Sequence, residues 1–219
     1  MTAQRLVDLN EMELDALTEL VNLGVSNAAS SLRELVRDEI LLSVPKVTVV
    51  TREKAIANLG KRENNRLVAV RQDFEGDITG RALLIFPEAR SMELVRAIVG
   101  SDLSLEDIME LEQEALAETG NILLNACLAT MANNLQRTLR ISLPEVVHGE
   151  GSEFFDLTPG SDGGDVLFIY INFSVRMRNI EGYLAMLLDL PSLATLKDLL
   201  DALIERTSNH TTIDQPNGS

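Results

Sequence analysis

The chain aligns with itself. Displaced by 99 positions, Ala16 falls on Ala115, Leu17 on Leu116, Glu19 on Glu118, Asn22 on Asn121, Ser43 on Ser142, Pro45 on Pro144 and Val47 on Val146. A slightly larger displacement sets Phe86-Pro87 against Leu190-Pro191. Self-similarity of this kind narrows the fold before any element is assigned, because two copies of one unit bury their apolar faces against each other.

The order of elements agrees. Asn10 and Glu13 have the offset of a capping box, and Leu14, Leu17, Val21, Val25, Ala28 and Leu32 then recur at helical spacing to about Val36. After Pro45 the β-branched run Lys46–Thr51 reads as a strand. A short helical piece over Glu53–Leu59 ends in a turn at Gly60. Leu67–Phe74 and Thr79–Pro87 are strands joined by the hairpin residues Glu75-Gly76-Asp77. Pro87 then opens a helix through Met92, Leu94, Val95, Ile98 and Val99, closed by Gly100.

From Ser104 and Asp107 the order begins again: a long helix from Leu105 to about Leu135, a short strand over Pro144–His148 and a Gly/Ser/Asp-rich loop over 149–165. Strands Val166–Arg178 and Gly182–Leu190 follow, with a turn at Arg178–Glu181. Pro191 opens the last helix, with Leu193, Leu196, Leu199, Leu200 and Leu203 on its buried side. Each half is a long helix, three strands and a short helix. The expectation is one domain over residues 1–206, built of repeats at about 10–100 and 105–206, with 207–219 a disordered tail. Its fold class is α/β of the α+β type: internally duplicated, pseudo-two-fold, with a six-stranded, mostly antiparallel sheet covered by helices.

Composition removes several function classes. The formal net charge of −15 repels phosphate backbones and anionic membrane surfaces, so neither nucleic-acid binding nor membrane insertion is expected. No run of about 18 apolar residues is present. The N-terminal residues lack the apolar core of a signal peptide, and the lone Cys127 suits a reducing cytoplasm. Two histidines, His148 and His210, with one cysteine make no zinc spacing, and no G-x-S-x-G elbow supports a serine triad. The acidic residues Glu150, Asp162 and Asp165 lack EF-hand spacing.

What remains is a polar stripe written twice. With Asp15 as zero and 100° per residue, Glu19 falls at about 40°, Asn22 at about 340° and Ser26 at about 20°, while Leu17, Val21, Ala28 and Leu32 lie between about 200° and 260°. Glu114, Glu118, Asn121 and Asn125 repeat the stripe on the second long helix, opposite Leu116, Leu123, Cys127 and Met131. In each copy a Pro follows 22 intervening residues after the Asn. A glutamate on a helix surface is ordinarily just solvated. The run Glu106–Glu118 reads that way apart from Glu118. A mid-helix Asn competes with its own backbone, so Glu-x-x-Asn at matched places in two diverged halves asks for a functional reason.

Asp15, Glu19, Asn22 and Pro45, with Glu118, Asn121 and Pro144, resemble the signature of the CheC-type chemotaxis phosphatases, relatives of CheX and FliY. The second copy has Glu114 where that signature has Asp or Ser. Asn22–Ser30 and Glu118–Asn125 are similar to the family's two helices, and the likeness runs over about 10–205. The resemblance implies hydrolysis of the aspartyl phosphate of the response regulator CheY. In it, Asn22 and Asn121 position the attacking water, and Glu19 and Glu118 dock to a receiver lysine. It implies no cofactor of the chain's own, with Mg2+ carried by the receiver. Asp15, Glu114, Ser26 and Asn125 are then partner contacts. The alternatives are a non-catalytic adaptor that binds a receiver or CheD, and a structural part of the flagellar switch. The switch reading is the weakest, because only a short polar stretch follows the last helix.

Overall fold

The computed structural model describes residues 9–36, 40–43, 46–62, 66–99, 104–154, 165–175, 178–188 and 190–213. The first half comprises α1 (Glu11–Val36), β1 (Ile40–Leu42), β2 (Lys46–Thr51), α2 (Arg52–Arg62), β3 (Leu67–Gly76), β4 (Gly80–Pro87) and α3 (Glu88–Val99). The second comprises α4 (Leu105–Leu135), β5 (Leu139–Ile141), β6 (Glu145–Gly149), α5 (Gly151–Phe154), β7 (Asp165–Val175), β8 (Arg178–Leu188) and α6 (Leu190–Ile213).

All pairings among these strands are antiparallel, in the order β1-β7-β8-β4-β3-β5, with β2 also on β7 and β6 also on β3. The order reads the same from either end once equivalent strands of the halves are exchanged. Register repeats too: Val47 faces Ile169, and Val146 faces Val70, each residue being 99 positions from its counterpart. Each half therefore gives its outer strands to the other half's hairpin.

Strand alternation divides the core. Val68, Val70 and Phe74 of β3, Ala82, Leu84 and Phe86 of β4, and Leu184, Met186 and Leu188 of β8 face α1, α3, α4 and α6. Leu17, Val21, Val25 and Leu32 of α1 and Leu116, Leu123, Cys127 and Leu128 of α4 complete that layer. Leu67, Ala69, Leu83, Ile85, Ala185 and Leu187 point the other way, toward Ala55 of α2 and Phe154 of α5. Among the described residues no helix is long and apolar enough to cross a membrane.

Both long helices start as their sequences indicate. In α1 the Glu13 amide donates to Asn10 Oδ1 at 3.0 Å, and the Asn10 amide donates to Glu13 Oε2 at 3.0 Å. Ser104 and Asp107 form the same reciprocal box at α4. Several elements differ from the sequence reading, and the loop expected over 149–165 opens with one helical turn, α5. The short strands β1 and β5 add a fourth strand to each half. Helix α2 continues through the turn expected at Gly60 to Arg62. Strand β8 starts at Arg178, because the β7–β8 register already pairs Val175 with Arg178 and keeps Arg178–Glu181 in the ladder.

Helix α6 runs to Ile213, seven residues into the stretch expected to be a disordered tail. Arg206 Nη2 donates to the Asn134 carbonyl at 3.1 Å, and the Thr207 hydroxyl donates to carbonyls a turn back. These contacts lie at the start of a polar stretch that has no apolar repeat to announce a helix. Residues 214–219 and Pro45 lie outside the described residues.

Candidate functional site

The stripe of α1 lies opposite its buried face, while that of α4 runs from outward Glu114 and Glu118 to Asn121 and Asn125, which border strand β3. Asp15, Glu19 and Ser26 are exposed on α1, and Asn22 is half-buried. Glu114 and Glu118 are exposed on α4, while Asn121 and Asn125 are half-buried. Both amides thus reach the surface from partly walled positions. None of Asp15, Glu19, Asn22, Ser26, Glu114 and Glu118 makes a side-chain hydrogen bond or ion pair with a described residue. Two exposed carboxylates and two free-standing polar side chains form the α1 stripe, available to an outside partner.

The start of α1 is fastened beside its stripe. Glu13, which is buried, pairs with Lys197 of α6. Burial by itself raises the Glu13 carboxyl, but the Lys197 ammonium and the Asn10 amide outweigh it and hold the group below the ordinary carboxylate range. Farther along, Gly24 brings α1 against α4 at Cys127, and Asn27 Nδ2 donates to Thr130 Oγ1 at 3.3 Å.

The α4 stripe is built differently. Asn125 Nδ2 donates to Asn121 Oδ1 at 2.7 Å, across one helical turn. Beneath them lies Gln72 of β3, 1% exposed, whose Nε2 donates to the Ser142 carbonyl at 3.0 Å and reaches Asn121 Oδ1 at 3.4 Å and Asn125 Oδ1 at 3.5 Å. Ser142 is itself locked to β3: its amide donates to the Asp73 carbonyl at 2.8 Å, and the Asp73 amide donates to its hydroxyl at 2.9 Å. Pro144, the second proline of the repeated pattern, follows between β5 and β6 at the sheet edge, where lack of an N–H is tolerated.

Chemically, neither stripe offers an activated nucleophile. An exposed carboxylate one turn from a carboxamide can bind a cationic group and, beside it, orient a water. Cys127 is buried against this helix pair, and desolvation pushes its thiol up to about 12, so it is no nucleophile.

The chain is similar to several known proteins. The chain is 28% identical over 141 residues to the CheY-P phosphatase CheC of Bacillus subtilis strain 168, an alignment covering 63% of this chain and 67% of that one. It is 24% identical over 207 residues to the flagellar motor switch phosphatase FliY of the same organism, covering 92% of this chain but 52% of the relative, so it spans about half of that protein's length. The family model for the CheC-like family matches residues 12–49, and that for chemotaxis phosphatase CheX matches residues 68–157. Both halves of the chain are thus similar to the CheC/CheX/FliY family. The CheC-like match contains Asp15, Glu19, Asn22 and Pro45; the CheX match contains Glu118, Asn121 and Pro144. The fold is shared with the crystal structure of FliY from Thermotoga maritima, with a TM-score of 0.68 at 17% identity over 93% of this chain and 99% of that one.

The sequence reading missed two residues that build the α4 site. Gln72 is polar where β3 otherwise turns Val68, Val70 and Phe74 toward the helices, and that break in alternation is its only sequence signal. Gly120 lies where a Cβ would come 2.4 Å from Val70 Cγ1, so α4 seats close to β3 there. Its repeat counterpart on α1 is Val21.

Proposed function

We propose that this chain is a phosphatase for the aspartyl phosphate of a CheY-like response regulator, acting in the cytoplasm. The observation that carries the reading is the repeated Glu-x-x-Asn stripe, with both glutamates exposed and both asparagines at the surface of the paired long helices. The names of the relatives, CheY-P phosphatase CheC and flagellar motor switch phosphatase FliY, support it.

An acyl phosphate is already activated, so a helper protein contributes chiefly by placing water in line with phosphorus. The water oxygen bonds to phosphorus as the bond from phosphorus to the aspartyl oxygen breaks. The carboxylate is released, and the water's protons leave with the inorganic phosphate. Asn22 and Asn121 hydrogen-bond this water without adding negative charge beside the phosphoryl group. Glu19 and Glu118 pair with a receiver lysine, and the receiver's own Mg2+ supplies counter-charge to the phosphoryl oxygens. Asp15, Ser26, Glu114 and Asn125 extend the contact along each helix.

The test is the rate at which a phosphorylated receiver loses its phosphoryl group with and without this protein. Acceleration that disappears in the Asn22→Ala/Asn121→Ala double variant is the expected result. Full acceleration by that variant overturns the mechanism. Retention of the receiver in a binding assay, with phosphate lost only at the intrinsic rate, makes the chain an adaptor.

A further inference from the structure

The two stripes differ beneath their surfaces. A backbone carbonyl only accepts, so the 3.0 Å contact with Ser142 fixes which end of the Gln72 amide faces it: the nitrogen. That nitrogen then meets the oxygens of Asn121 and Asn125, and Asn125 gives its own N–H to the same Asn121 oxygen at 2.7 Å. Asn121 Oδ1 is therefore occupied from below and from the side, and the free hydrogens of Nδ2 are left for the outside. Gln72 Oε1 is buried without a hydrogen-bond partner, an arrangement that stability alone disfavours. In the other half Ile171 occupies the register position equivalent to Gln72: Gln72 faces Ala82 and Ile171 faces Gly182. Ile171 has no amide to give. Asn22 has no hydrogen-bond partner among the described residues.

We infer that Gln72 is a positioning residue that locks the Asn121 amide with its NH2 group outward, which makes the α4 site pre-oriented and the α1 site not. This rests on the phosphatase reading above. An outward N–H donates to one lone pair of the bound water and leaves the other directed at phosphorus. At the α1 site Asn22 must be oriented by the docked receiver itself. The two sites are thus unequal by construction, with the larger turnover number at α4.

The experiment uses single-site proteins. Asn22→Ala leaves the α4 site and Asn121→Ala leaves the α1 site. In the Asn22→Ala protein, Gln72→Met, which keeps the length and removes the amide, is expected to lower kcat about tenfold with the KM for phosphorylated receiver within about twofold and Tm unchanged or higher. Asn125→Ala, a helix-surface change that leaves the core intact, is expected to lower kcat in the same direction. An equal fall when Gln72→Met is placed in the Asn121→Ala protein, or no fall in the Asn22→Ala protein, overturns the proposal. A second readout does not depend on turnover: the side-chain NH2 resonances of Asn121 should be dispersed and slow to exchange in the parent and should collapse toward free-amide values in Gln72→Met. If neither single-site protein accelerates phosphate loss, the phosphatase reading fails. The amide spectrum then decides the positioning claim, and unchanged Asn121 resonances in Gln72→Met would refute it.

Discussion

A Cβ on Gly24 of α1 would lie 2.7 Å from the Cα of Cys127 on α4, so the two long helices meet there backbone to backbone. A flexible side chain could move aside from such a contact, but a helix backbone cannot. Gly24→Ala should therefore push the helices apart despite its better helix propensity, costing roughly 1–3 kcal/mol. Thermal or urea unfolding checks this, and an unchanged or raised stability would show that the helices can slide without loss.

The same contact bears on the thiol. Desolvation pushes Cys127 up to about 12, so almost no thiolate exists at neutral pH. Native protein should react with a thiol reagent at pH 8 only at the rate of opening of the helix pair, and fully once urea exposes it. Rapid labelling of folded protein would mean that the α1–α4 seam opens readily.

Glu118 and Glu19 are exposed and face no cation among the described residues. Glu118→Ala in the Asn22→Ala background should raise KM for phosphorylated receiver about tenfold, the scale of losing one charge-assisted hydrogen bond of about 1.5 kcal/mol. The salt dependence of KM should flatten at the same time. A fall in kcat at constant KM would assign Glu118 to the chemical step instead.

The pair Glu13–Lys197 sets a pH window. Glu13 is held below its ordinary value of 4.5, so its contribution to stability is complete above that value and is lost as pH falls through the lowered one. Lys197 is raised above 10.5, mainly by its hydrogen bond to Glu13, so its contribution is complete below 10.5 and is lost only as pH rises through the raised value. Asp201 is pushed up by desolvation and by Glu13, an effect of opposite sign that fades in acid. The Tm difference between parent and Lys197→Met should be flat between about pH 6 and 9 and shrink below about 4.5. A difference that grows in acid would contradict the pairing.

Much of this was legible in the sequence for identifiable reasons. The stripes followed from helical period, and both capping boxes from residue type at a fixed offset. Pro144 marked an edge because proline cannot donate to a ladder. Gln72 was not legible as a site residue, since a single polar residue in a strand names neither its face nor the helix above it. Gly120 was not legible either, because a glycine within a helix does not name Val70, the side chain it seats against. The length of α6 escaped because residues 207–213 carry no hydrophobic period.

Because β1 and β2 lie on β7 while β5 and β6 lie on β3, severing the chain between α3 and α4 would strip both pieces of a border strand. A lone half would bare a raw hairpin flank and would satisfy it by embracing a second lone half. The arrangement is that of two partners clasping hands, and the stretch joining α3 to α4 turns what would be a concentration-dependent encounter into a permanent grip.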